Sequence, residues 1–246
     1  MKNLLLTLIA VLGTVFTMQA QADYQQWECH HFKAKAGQEE AFEKALAEHN
    51  KKFHNEAPYK TGIFEKRTGP YSGTFELAMG PMTFTDMEGR PSSEAHNTHW
   101  KKVMELAEPI GETIYWRADK DIVYAPEGSD NFSTLRWRNT TLLPGGGQRF
   151  KALMRDILEV LNAKGYNASF RMYWRFGMSE GPHVVTELGM KNLAFFDEPM
   201  DFKKDFDEVH GEGAYDRYVE DIDKCVDRSK TYDELVNFRG DLSSDY

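Results

Sequence analysis

Cysteine is nearly missing from this chain of 246 residues, which carries only Cys29 and Cys225. That scarcity excludes the disulfide framework of small secreted domains and the multi-cysteine motifs of structural zinc sites. One bridge stays open to the pair, although each cysteine also suits an apolar position in a regular element. Long apolar runs are scarce too. The longest, residues 4–16, falls short of the ~20 residues a membrane-spanning helix needs. Positive charge is in deficit, with 30 Lys and Arg against 39 Asp and Glu and a net charge of −9. An acidic total argues against nucleic acid, whose binding rests on neutralised phosphates, and against an anionic membrane surface. Also absent are HExxH, CxxC and G-x-S-x-G, and neither PGGG nor GEGAY has the lysine or strand context of a phosphate loop.

Residues 1–22, MKNLLLTLIAVLGTVFTMQAQA, join one lysine, a short apolar run and Ala20-Gln21-Ala22. That is the pattern of a secretory leader. Cleavage is expected before Asp23, leaving an exported chain, periplasmic or secreted, with no membrane attachment.

The remaining sequence repeats itself. FEKRTG at 64–69 matches MYWRFG at 172–177, and FELAMGPMTFTDME at 75–88 matches TELGMKNLAFFDEP at 186–199. QEEAFEKAL and QRFKALMRD align Phe42 with Phe150, and WRAD at 116–119 resembles FRGD at 238–241. Four blocks in one order, with insertions only between them, divide the chain into 23–127, a linker at 128–133, and 134–246. Helical spacing of apolar residues predicts helices over 38–53 and 148–163, with later ones near 93–108 and 203–227. Strands are expected at 62–68, 74–80, 168–176 and 184–190. Each half then reads βαββαβ, the ferredoxin-like motif.

Two such units in tandem, with these GxxxxF and TFELxMG-like blocks, resemble the dimeric α+β barrel superfamily, which includes antibiotic-biosynthesis monooxygenase-like, EthD-like and NIPSNAP-like proteins. The resemblance implies an α+β fold in which two four-stranded sheets enclose a cleft, with helices outside. It also implies a range of activities, from oxygenases and isomerases that use no cofactor to haem enzymes with one axial histidine. His30 or His210 would supply that ligand here.

Alternate residues of a strand face opposite ways. The apolar face belongs beneath helices, so the polar face is expected to line the cleft. By that rule Cys29 and His31 of WECHHFK go under helices and His30 faces inward. Arg136 and Arg138 face inward opposite Trp137, as do Arg171, Tyr173 and Arg175 opposite Phe170, Met172 and Trp174. Arginine forks suit carboxylate, sulfate or phosphate groups. Arg136, Arg138, Arg171 and Arg175 are therefore the expected ligand-binding set, with His30 and Tyr173 as candidates for moving a proton. Arg67 with Glu76, and Arg175 with Glu187, are expected to form cross-strand ion pairs. No metal site is expected: His96 and His99 share a helix face without a visible third ligand, and His49 and His54 are five apart, on different sides of a helix. The expected partner is a small anionic, ring-bearing compound, bound and, in the enzymatic version of this reading, converted without metal or cofactor. A lyase acting on an anionic uronate polysaccharide, a haem-binding barrel and a non-catalytic partner-binding module are the competing readings.

Overall fold

The computed structural model describes residues 23–129, 132–177 and 181–245. The expected leader, residues 1–22, lies outside them. The first half runs β1 (Gln26–Ala34), α1 (Glu39–Phe53), β2 (Thr61–Lys66), β3 (Phe75–Met82), α2 (Phe84–Glu88), α3 (Glu94–Glu105) and β4 (Ala107–Tyr124). The second runs β5 (Thr134–Thr140), α4 (Gly147–Lys164), β6 (Ser169–Phe176), β7 (Val184–Met190), α5 (Phe202–His210), α6 (Ala214–Asp223) and β8 (Tyr232–Phe238).

Local chemistry explains the helix ends. Ser93 caps α3 by accepting from the His96 backbone N–H, and Thr83 with Asp86 forms a capping box on α2. Gly165 ends α4 in the left-handed conformation, where a side chain would be strained. The single helix expected over 203–227 is broken in two. Gly211 and Gly213, both at positive φ, turn the chain between α5 and α6.

The strands close into an antiparallel barrel in the order β1-β3-β2-β8-β5-β7-β6-β4. Each half contributes the order fourth, first, third, second. The halves join where β2 meets β8 and where β4 meets β6. This is the expected α+β barrel, with its helices outside.

Three layers of core follow. Phe42 and Leu46 on α1 and Val103 on α3 pack with Phe32, Ile63, Phe75 and Leu77 of the first half. Phe150, Leu153 and Met154 of α4 pack with Phe170, Met172 and Val184 of the second. A third cluster lies inside the barrel: Cys29, Ala78, Trp116, Trp137, Val185 and Val236. Both faces of these strands are therefore buried. No helix among the described residues is long and apolar enough to cross a membrane.

Candidate functional site: the barrel chamber

Register decides which side chains look inward, because directly opposed residues in a ladder share a face. His31 opposes Glu76, and Glu76 opposes Phe64, so Lys66 shares their face two residues on. In the second half Trp137 opposes Glu187, and Glu187 opposes Arg171, which brings Tyr173 and Arg175 to the same side. These residues surround a chamber of about 220 Å³. Trp27, Phe64, Trp116, Trp137 and Tyr173 give it aromatic walls, while His31, Lys66, Glu76, Asn139, Arg175 and Glu187 give it polar ones.

The polar groups form a chain. Glu76 Oε2 lies 2.7 Å from His31 Nε2 and 3.2 Å from Lys66 Nζ. Lys66 also meets Glu234 Oε2 at 3.2 Å, and Asn139 donates to that same oxygen at 3.1 Å. Burial by itself would raise the Glu76 carboxyl, but Lys66 and His31 outweigh it and hold the group at about 2. Burial would likewise lower Lys66, and its two carboxylates reverse the sign and raise it. An ionised Glu76 cannot donate, so the proton between the two residues belongs to His31 Nε2. That tautomer leaves Nδ1 as the acceptor of the imidazole. Tyr71 stacks on the ring, with centroids 6.2 Å apart.

Glu187 is less well compensated. Burial raises its carboxyl, and a 2.9 Å bond from Trp137 Nε1 and Arg171 at 3.6 Å only partly oppose that. Burial, followed by the Glu187 charge, pushes the Tyr173 phenol well above its ordinary value. Tyr173 therefore keeps its proton at neutral pH and can offer its hydroxyl as a hydrogen-bond donor. Cys29 is also raised by burial and then by Glu76; it is an inert thiol on the chamber wall, and both cysteines are free.

Several expectations are corrected by this geometry. Cys29 and His31 face the chamber, whereas His30 lies on the outer face of β1, bonded to Glu28 at 2.7 Å and Thr113 at 3.2 Å. Arg136 and Arg138 share the outer face of β5, where Arg138 pairs with Asp233 through two bonds of 2.8 and 2.9 Å. Arg171 faces inward but engages Glu187, so of the four expected arginines only Arg175 lines the chamber. The two expected ion pairs do not form. Lys66 takes Glu76, leaving Arg67 on the outer face with Glu65 at 3.2 Å. Arg175 stands four residues along the strand from the Glu187 register position and bonds Glu112 at 2.7 Å instead. Sequence reasoning missed Lys66, gave Glu76 the wrong partner and put His31 on the wrong face; the available signal was that Lys66, beside Arg67, stands on the same strand face as Phe64, opposite Glu76.

No protein-family model matches the sequence, and no curated protein matches it either. Solved structures do match in fold. One is an anthrone oxidase-like protein, 12% identical, covering 89% of this chain and 92% of its own with a TM-score of 0.56. Another, from Fusobacterium nucleatum and described as a candidate monooxygenase, is 11% identical, covering 89% and 94% with a TM-score of 0.57. A chlorite dismutase variant from Candidatus Nitrospira defluvii is 10% identical, covering 88% and 92% with a TM-score of 0.53. At these identities the likeness defines the fold alone, that of an α+β barrel. The expectation that no cofactor is involved is corrected by the likeness to chlorite dismutases, which share the architecture.

Proposed function

We propose that the chamber binds a small, planar, ring-bearing compound with an acidic or anionic oxygen, and that His31 accepts a proton from it. The observation that carries this reading is the His31–Glu76–Lys66 chain set among five aromatic walls. Glu76 holds the imidazole in the Nε2–H tautomer and stabilises the imidazolium formed when Nδ1 takes a proton. Lys66 keeps Glu76 ionised. Arg175, at the chamber wall, offers a guanidinium to a carboxylate or phenolate, and Tyr173 a hydroxyl donor. An enzymatic outcome is supported by the anthrone oxidase-like and candidate monooxygenase neighbours. The test is a titration with a hydroxynaphthoate, followed by quenching of tryptophan fluorescence. His31→Asn and Arg175→Met should each weaken binding about ten- to a hundredfold. Unchanged affinity in both would end the proposal.

Haem is the second reading, favoured by the chlorite dismutase likeness and by one donor. His31 is the histidine that lines the chamber, and a carboxylate bonded to the far nitrogen of an imidazole is the usual support of a metal-bound histidine. The donor fits, whereas the space is small: about 220 Å³ lies below the ~300–1,000 Å³ of drug-sized pockets, so a macrocycle requires the walls to part. Bound haem would supply redox chemistry. His210 is ill placed for it, since its Nε2 donates to the Asp156 carbonyl at 3.0 Å and its ring packs on Phe206, outside the barrel. A Soret band on reconstitution that His31→Ala abolishes and His210→Ala leaves would establish this reading.

Export, with cleavage before Asp23, and the division into 23–127 and 134–246 are part of the same proposal; a mass spectrum of the protein from its native host tests the first.

A further inference from the structure

Outside the barrel, four histidines meet where α1 packs against α3. His49 lies on the buried stripe of α1 with Phe42 and Leu46, and is fully buried. His54 is the residue at which α1 ends, with φ −124° and ψ 29°. It therefore does not continue the helical rotation, and its ring returns to within 5.2 Å of the His49 ring and 5.4 Å of the His96 ring. His96 and His99 sit one turn apart on α3. The sequence spacings had suggested that His49 and His54 diverge and that His96 lacks partners; the helix end and the packing of α3 correct both.

Hydrogen bonds assign the tautomers. His54 Nδ1 is 3.0 Å from the Tyr59 carbonyl, which can only accept, so Nδ1 carries the proton and Nε2 a lone pair. His96 Nδ1 is 3.2 Å from Asn97 Oδ1, which again leaves Nε2 as a lone pair. These two Nε2 atoms face each other at 3.4 Å. Two lone pairs at that distance repel unless something positive lies between them. Zn–N bonds of ~2.0–2.1 Å at tetrahedral angles set nitrogens roughly 3.3–3.4 Å apart. His49 adds the independent observation. Its Nδ1 meets His99 Nδ1 at 3.3 Å, and its buried Nε2 has no hydrogen-bond partner. A buried polar atom without a partner is rare and calls for an explanation. One ligand nitrogen from each of His49, His54 and His96 can be chosen with all three inside 4.8 Å.

We propose that His49, His54 and His96 form a site for a divalent transition-metal ion of the zinc class, with His99 positioning His49 from behind. Three imidazoles, each with its second nitrogen held by a hydrogen-bond partner, are a donor set such ions take. Burial, then the neighbouring histidines, lowers His49 to about 3, and His54 is lowered chiefly by burial. Arg90 is the cation whose charge reaches His54, and it is itself held by Glu28 at 2.7 Å.

The test uses the untagged, metal-stripped full chain. Zn²⁺ is titrated calorimetrically, and Co²⁺ is used to read coordination by its visible spectrum. Saturable one-to-one binding with a tetrahedral Co²⁺ spectrum is expected. His54→Ala and His96→Ala, both at partly exposed positions, should each weaken Zn²⁺ binding at least tenfold, and His99→Ala by about tenfold. His30→Gln, on the outer face of the barrel, should leave it unchanged. Circular dichroism confirms that each variant is folded. No saturable binding, or equal affinity in wild type, His54→Ala and His96→Ala, would overturn the site. So would an equal loss in His30→Gln.

Discussion

Glu76→Gln probes the buried charge chain on which the chamber depends. In the folded protein the Glu76 carboxyl is held at about 2, against an ordinary 4.5. Because the folded value is depressed, its contribution is fully present above pH ~4.5 and is lost as pH falls toward 2. At 1.36 kcal/mol per pH unit the depression amounts to about 3 kcal/mol at pH 7. Glutamine is isosteric but neutral, so it removes this term and leaves Lys66 with Glu234 alone. The measurement is urea unfolding of both proteins from pH 7 to pH 3. Wild type should be more stable by about 3 kcal/mol at pH 7, close to the cost of breaking a buried ion pair. The difference should shrink by about 2 kcal/mol by pH 3, where Glu76 is almost fully protonated in the unfolded chain and still largely ionised in the folded one. Glu28, also held at about 2 despite burial by His30 and Arg90, titrates in both proteins and cancels. A difference that does not change with pH would mean that Glu76 is not the ionised partner of His31 and Lys66, and the proton assignment would fall with it.

Other consequences are direct. Trp137→Phe keeps the aromatic wall but removes the 2.9 Å bond to buried Glu187, so it should cost about 1–3 kcal/mol in thermal or urea unfolding. Arg138→Ala breaks a pair with Asp233 that is nearly half exposed, and should cost no more than about 1 kcal/mol while leaving chamber ligands unaffected. Phe42→Ala, at a fully buried position of α1, should cost about 3–5 kcal/mol. Gly69→Ala should destabilise and disturb the chamber together, since its methyl would stand 2.8 Å from Glu234 Cγ and 3.0 Å from the Asp233 carbonyl at a φ of +85°.

The fold was readable because its signals are periodic and local. Phe42 with Leu46, and Phe150 with Leu153 and Met154, mark the two long helices, and the Gly-containing turns separate the strands. The sheet faces were readable only where they differ in polarity. On β6 the contrast of Phe170 and Met172 with Arg171 and Tyr173 gives the correct sides. On β1 and β5 the rule inverts, because a narrow closed barrel buries Cys29, Trp116 and Trp137 inside it while Phe32 is buried outside. With both faces buried, polarity no longer tells in from out. Register does, and register is set by pairing across the sheet: the partnership of His31 with Glu76 and Lys66 joins three strands up to 45 residues apart. The histidine cluster was hidden for the same reason, since α1 and α3 meet only through tertiary packing.

The claim that the barrel interior is the binding site is tested most directly by filling it. Ala78 lines the chamber on β3, and Ala78→Leu would occupy the space a ligand needs. Titration of wild type and variant with a hydroxynaphthoate, read by tryptophan fluorescence and accompanied by circular dichroism to confirm folding, should show saturable quenching in wild type and its loss in a folded Ala78→Leu. Equal affinity in the two proteins would place the ligand elsewhere and contradict the account.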